Sequence, residues 1–414
     1  MTASSRMQAG LGWSGDEQQA IALLAQRLQV RTWLVGGRDD ELIEAVHRHL
    51  PALRRLLARV GCTMTVEPDL VRVHKTAGLR CGRIRQGASP EGMWLWLTAA
   101  VLESMPSKAK LGQVVAAARA AAAEVEIPVT QSRAELHALH AGLRMLCDRG
   151  VLEEADGRIE ALLEGQEDPP VLLRVHHTRL LHLLPRDVAV DEHGQWLADP
   201  ADDAQGWLEQ LTKPGDPGVR VCAMLADQAV VHACDLDPEE RHWISVRLAS
   251  DGGAVAEAFG LRLEHRTEGA AFVMPEEALT AGGLLGPFRF PHRQRNGAGT
   301  VRHAALLLID CLTAEGERDG TMAPGPGWCG APAAVVVNRL GEMAARHAGW
   351  AAEYRTQPAR LADHVRGLLE QADLLRVTDG YEVWWWLSPA AARWTVVADQ
   401  PVSPSPGSRL EETL

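Results

Sequence analysis

Long apolar runs are missing from this 414-residue chain. None approaches the ~20 residues that a membrane-spanning helix needs. The opening stretch, MTASSRMQAGLGWSG, also lacks the apolar centre of a signal peptide. A soluble, cytoplasmic protein is expected, with no membrane partner. Paired cysteines are missing too. Cys62, Cys81, Cys147, Cys222, Cys234, Cys311 and Cys329 are scattered, odd in number and form no CxxC, which argues for a reducing compartment. GxSxG, GxxxxGK followed by Ser or Thr, and HExxH are all absent, so no hydrolase elbow, phosphate loop or zincin helix is expected. Lysine is scarce: Lys75, Lys108, Lys110 and Lys213 are the only four among 42 basic residues. Arginine suits bidentate and stacked contacts, although a GC-rich gene would give the same bias.

What is present is ordinary for a globular protein, at 46% hydrophobic and 23% charged. The length calls for two to four domains. A net charge of −12 argues against a generic nucleic-acid coat, so contact with DNA has to come from local patches.

The strongest internal signal is a repeat. MLCDRGVLEEADGRIEAL, from Met145 to Leu162, aligns without a gap on LLEQADLLRVTDGYEVWW, from Leu368 to Trp385. Leu152 falls on Leu375, Asp156 on Asp379 and Gly157 on Gly380. Asp-Gly between apolar runs predicts a tight hairpin, because both central positions of a type I′ turn need positive φ. Upstream of each hairpin the apolar spacing predicts three helices. Ser132 and Glu135 form a capping box ahead of Leu136, Leu139, Leu143 and Leu146, and Pro358 stands at a helix start. Three helices closed by a hairpin is the winged helix-turn-helix plan. The expected fold is therefore mainly α with small β-hairpin wings (α+β), in tandem winged-helix domains.

Weaker repeats, residues 57–75 and 255–274, read as helix end, glycine (Gly61, Gly260), strand, turn and strand. They are either further winged-helix-like modules or extra strands on their neighbours. The expected organisation is an N-terminal extension (1–90), a first winged-helix domain (91–186) and a connector (187–218). A middle helix–strand module (219–300), a second winged-helix domain (301–397) and a disordered tail (398–414) follow.

No catalytic constellation is expected, and no cofactor. Cys222, His232, Cys234 and His242 lack the close pairing of a zinc site, so no metal is expected either. The candidate DNA contacts are Arg133, His137, His140 and Arg144 on the presumed recognition helix, with Lys108 and Lys110 at the start of the preceding helix. Arg289, Arg293, Arg295 and Arg302 join them from an acid-free, glycine-containing stretch. That stretch is either a phosphate-contacting loop or a solvated connector to a helix capped by Thr300. Trp384 and Trp386 point to the second face of the last strand. That face meets a partner or another domain of the same chain.

In order and spacing, several motifs resemble the MukE-like tandem winged-helix (kite) subunits of Wadjet SMC-like anti-plasmid defence complexes. They are residues 39–78 with Gly61 and Arg72-Val-His-Lys75, LRMLCDRGVLEEADG (143–157), FGLRLEHRTEGAAFV (259–273), FRFP (288–291) before HAALLLIDCL (303–312), and VWWWLSPAAARW (383–394). Cys62 and Met274 depart from the family pattern, and HRQRNGAG is unfamiliar in it. The resemblance implies a non-enzymatic subunit that forms a homodimer, holds a kleisin-like subunit, sits beneath an SMC-like ATPase and contacts double-stranded DNA. It also implies a toprim-containing nuclease elsewhere in the system. The rival reading is a stand-alone tandem winged-helix transcriptional regulator, for which a basic recognition helix and a fixed half-site spacing are required.

Overall fold

The computed structural model describes residues 15–75, 89–130, 132–164, 170–183, 215–275, 299–318, 320, 322–378 and 382–393. The expected tail (398–414), Asp379-Gly380 and most of the expected connector (187–218) lie outside them. Described residues are mainly helical, with four small antiparallel sheets. One order of elements recurs four times, with an added strand and a short extra helix in the fourth: helix, strand, two helices or helix arms, strand, strand.

The first module comprises α1 (Gly15–Val30), β1 (Trp33–Val35), α2 (Asp40–Ala58), β2 (Cys62–Glu67) and β3 (Leu70–Lys75). Pro51 cannot continue the backbone ladder, and α2 kinks at His49 into two arms that do the work of two helices. In the second module α3 (Pro90–Ser104), β4 (Lys108–Lys110), α4 (Leu111–Glu124), α5 (Arg133–Asp148), β5 (Leu152–Asp156) and β6 (Leu172–Val175) are followed by a single turn, α6 (His177–Leu180). The third has α7 (Pro217–Asp227), β7 (Val231–His232), α8 (Pro238–Arg247), α9 (Gly253–Ala258), β8 (Arg262–Arg266) and β9 (Gly269–Val273). The fourth has α10 (Thr300–Glu315), β10 (Glu317–Arg318), β11 (Cys329–Pro332), α11 (Ala333–Arg346), α12 (Ala352–Thr356), α13 (Pro358–Gln371), β12 (Leu375–Thr378) and β13 (Trp384–Leu387).

In every module the returning strand lies between the other two: β1-β3-β2, β4-β6-β5, β7-β9-β8 and β11-β13-β12, with β10 added outside β11. The residue that leaves the last helix for the hairpin is left-handed each time: Gly61, Gly150 and Gly260 with φ of 64–66°, and Asp373 with φ of 57°. Glycine enters that conformation without steric cost, and aspartate does not.

The described residues form two compact units. Residues to Asp227, with 238–263, make the first; 228–237, 264–272 and everything from 299 make the second. In the first, Trp94, Leu95, Leu102, Val114, Leu139, Leu143, Leu146 and Leu173 anchor one core. In the second, Leu308, Leu340, Leu361, Val365, Leu369, Trp385 and Leu387 anchor the other. Similar ties join sheet to neighbouring module in both: Arg179 pairs with Asp69 at 2.6 Å, and Arg393 grips Glu264 with two bonds of 2.8 Å.

Local expectations changed in four places. Lys108–Lys110 is a strand, not a helix start, because Ala109 is drawn inward opposite Leu173. The first wing is no two-residue hairpin: after Gly157, Ile159 and Leu162 bury themselves on a 3-10 turn, and the return strand is Leu172–Val175. In the second wing Thr378 pairs with Trp384, so five residues, 379–383, separate the paired ends. The residue before α10 is Gly299; the Thr300 hydroxyl accepts instead from the Ala351 amide at 3.2 Å.

Candidate nucleic-acid interface

Helix α5 is set by its caps and one close approach. The Ser132 hydroxyl accepts from the Glu135 amide at 3.2 Å, a cap worth about 1 kcal/mol. The Glu135 carboxylate turns back to the Thr130 amide at 2.6 Å and to Arg119 at 3.1 Å. At Gly142 the helix lies so close to α3 that an added Cβ would stand 2.8 Å from the Leu95 nitrogen. With Leu139, Leu143 and Leu146 turned inward, Arg133, His137, His140 and Arg144 take the outer side.

These four are not equivalent. Arg133 and His137 are exposed. Arg144 is held by Glu160 at 3.4 Å and Glu154 at 3.7 Å, so its charge is already neutralised. His140 is half-buried, and burial lowers its pKa; its Nε2 meets no hydrogen-bond partner among the described residues. Lys108 and Lys110 project from β4, exposed and on one face. In the same cross-strand rows lie Arg174 opposite Lys108, and Leu172 opposite Lys110. Arg174 and His176 both engage Glu153, at 3.2 and 3.0 Å, and the His176 bond chiefly holds that carboxyl below its usual range. Arg302 is half-buried in the first turn of α10. Arg289, Arg293 and Arg295 lie outside the described residues.

One pair of cations was visible in the sequence but carried no motif. Arg54 and Arg55 are exposed on the second arm of α2, in a stretch, 47–59, without an acid. On α13, Arg360 and Arg366 pair with Glu353 and Asp363.

The tryptophan run divides as alternation requires. Trp385 and Leu387 enter the core; Trp384 and Trp386 share the opposite face and stack at 5.1 Å and 16°. Trp384 is half-buried, but Trp386 is 1% exposed and belongs to the interior of its own unit. Gly330 beside it has no side chain, so the indole lies flat on β11, where a Cβ would stand 2.6 Å away; a Cβ at Gly320 would stand 2.8 Å away. The indole N–H donates to the Thr378 hydroxyl at 3.1 Å. Next in the row, Arg376 lies 5.0 Å over buried Trp328 and forms a two-point pair with Asp235. Beside them His232 donates from Nε2 to the Asp373 carbonyl at 3.0 Å, and burial lowers its pKa.

The four metal-like residues do not converge. Cys222 is buried, with its thiol pushed up to about 12, and His232 is committed to Asp373. Among the described residues no group of three or more His, Cys, Asp or Glu is placed to hold a metal ion. No described helix is long and apolar enough to cross a membrane.

Helix–strand–helix–helix–hairpin modules in tandem, with exposed cations on α5 and β4, define a tandem winged-helix protein of the α+β class. The chain belongs to the family described as "Protein of unknown function (DUF2398)", whose model matches residues 25–397. No curated protein and no solved structure matches it.

Proposed function

We propose that this chain is a non-catalytic subunit of an SMC-like DNA-extruding complex that defends bacteria against plasmids. In this reading it dimerises, holds a kleisin-like subunit beside an SMC-like ATPase and touches double-stranded DNA. A toprim-containing nuclease supplies the cutting. The observation that carries the reading is the tandem of winged-helix modules, in a chain whose motif order resembles that of kite subunits. A helix with one exposed arginine, Arg133, clear of carboxylates among the described residues suits weak, sequence-independent contact with phosphates better than base readout.

Co-expression of the tagged chain with its genomic neighbours tests this. A kleisin-like and an SMC-like protein are expected to co-purify, and the chain alone is expected neither to hydrolyse ATP nor to nick DNA. If it purifies alone and binds one duplex sequence tightly at physiological salt, it is a stand-alone transcriptional regulator instead.

A further inference from the structure

We propose that β4 receives an added strand from another polypeptide, an extended acidic segment paired antiparallel along its outer edge. The inference rests on sheet geometry and not on the function proposed above.

Strand β4 pairs with β6 on one side and, among the described residues, with nothing on the other. The Ser107 carbonyl accepts from the Val175 amide at 2.9 Å, and the Leu111 amide donates to the Val171 carbonyl at 3.0 Å. Backbone direction alternates along an antiparallel strand, so the residues turned to β6 are 107, 109 and 111. Lys108 and Lys110 therefore turn their backbone groups outward. The Lys110 amide is taken by the Gln113 side chain at 3.2 Å, which leaves the amide and carbonyl of Lys108 as the open pairing site.

The fourth module shows what such an edge accepts. Arg174 crosses to Lys108 and Glu153, just as Trp386 crosses to Gly330 and Arg376. Gly330 is thus the counterpart of Lys108, and its outer edge is occupied: β10 pairs there, Glu317 opposite Gly330 and Arg318 opposite Cys329. Within one chain, one copy of this strand carries a neighbour, led by an acid, and among the described residues the other does not.

Charge selects the occupant. Lys108 and Lys110 flank Ala109 on one exposed face and form no ion pair with any described residue. Acidic residues two apart on an added strand would match them. Duplex DNA fits less well, because Glu153 and Asp156 share the same cross-strand rows and would face its phosphates. Addition of a strand to an exposed edge is an established mode of peptide capture.

The test uses the full chain and a short fluorescent peptide of alternating Glu and Val, with the same peptide N-methylated at alternate backbone positions as its control. The plain peptide is expected to bind and to slow hydrogen exchange at the Lys108 amide; the N-methylated one is not. Lys108→Pro removes the outward N–H at an edge position where proline is tolerated, and should abolish binding. Lys108→Glu and Lys110→Glu should each weaken it by roughly fivefold, the scale of a lost cross-strand charge pair. Equal binding of the N-methylated peptide, unchanged affinity in Lys108→Pro, no peptide binding at all, or binding of a short duplex alone would each overturn the proposal.

Discussion

The second and fourth modules share one topology but finish their wings in opposite ways. The row Lys108, Arg174, Glu153 is charged and exposed; its counterpart Gly330, Trp386, Arg376 holds a fully buried indole and a guanidinium clamped between Trp328 and Asp235. The junctions differ in the same sense. At Gly150 an added Cβ would stand 2.6 Å from the Val35 side chain of β1. Its counterpart Asp373 accepts from the Ala229 amide at 2.9 Å and from His232. A glycine that makes room in one unit is replaced by an aspartate that makes bonds in the other. One fold thus supports both an open wing and a covered one, and side chains on the outward alternation decide which.

The largest expected effect separates the two rows. Trp386→Ala should cost about 3–5 kcal/mol in denaturant unfolding of the whole chain, as the loss of a buried aromatic does. Arg174→Ala, at the equivalent position, should stay within about 0.5 kcal/mol. Similar values for both would erase the contrast.

The junction contrast comes next. Gly150→Ala forces a left-handed alanine against Val35 and should cost about 2–4 kcal/mol. Asp373→Gly relieves the same strain but loses an acceptor and adds backbone entropy, so it should remain within about 1 kcal/mol of wild type. Equilibrium unfolding of both variants checks the sign as well as the size.

A pH series sharpens the same junction. The folded pKa of His232 lies below its ordinary value because burial opposes the charged ring. The unfolded chain therefore takes up the proton first, and stability is lost as pH falls below the ordinary histidine value of about 6.5. One proton contributes a slope of at most about 1.4 kcal/mol per pH unit. His232→Gln should lack that increment between pH 6.5 and 5 in thermal melts. A variant with an unreduced slope would remove His232 from the account.

The smallest effect concerns DNA. Arg133→Glu should flatten the salt dependence of duplex binding by about 0.9 in log–log slope, one phosphate contact. Arg144→Gln should change it less, because Glu154 and Glu160 already neutralise that charge. Filter binding across a salt series decides, and a larger effect at Arg144 would reverse the assignment.

Much of the frame was legible because helix faces and cap residues are local. The face of α5, its Ser132 cap and the proline at the start of α13 all follow from spacing within one turn. The wings were less legible. Both Asp-Gly pairs carry the local signature of a tight turn, yet paired residues lie farther apart in both hairpins. Hairpin length is set by which strands find each other, and the first return strand follows a turn whose apolar spacing mimics a strand. Lys108–Lys110 misled for the same reason: KAKLGQVV favours a helix locally, and only pairing with distant β6 draws three residues into a sheet.

By itself the sequence determined the repeated helices, the glycines at their ends and the alternation that parts Trp385 from Trp384 and Trp386, because each depends on residues a few positions apart. Tertiary structure alone decided that Trp386 is covered and Lys108 is not, that Arg144 meets two carboxylates and Arg133 none among the described residues, and that β11 has a neighbour where β4, among the described residues, has an open edge. Those outcomes depend on which distant backbone comes to lie against each strand, and alternation along a strand chooses a side chain's face without choosing what meets it.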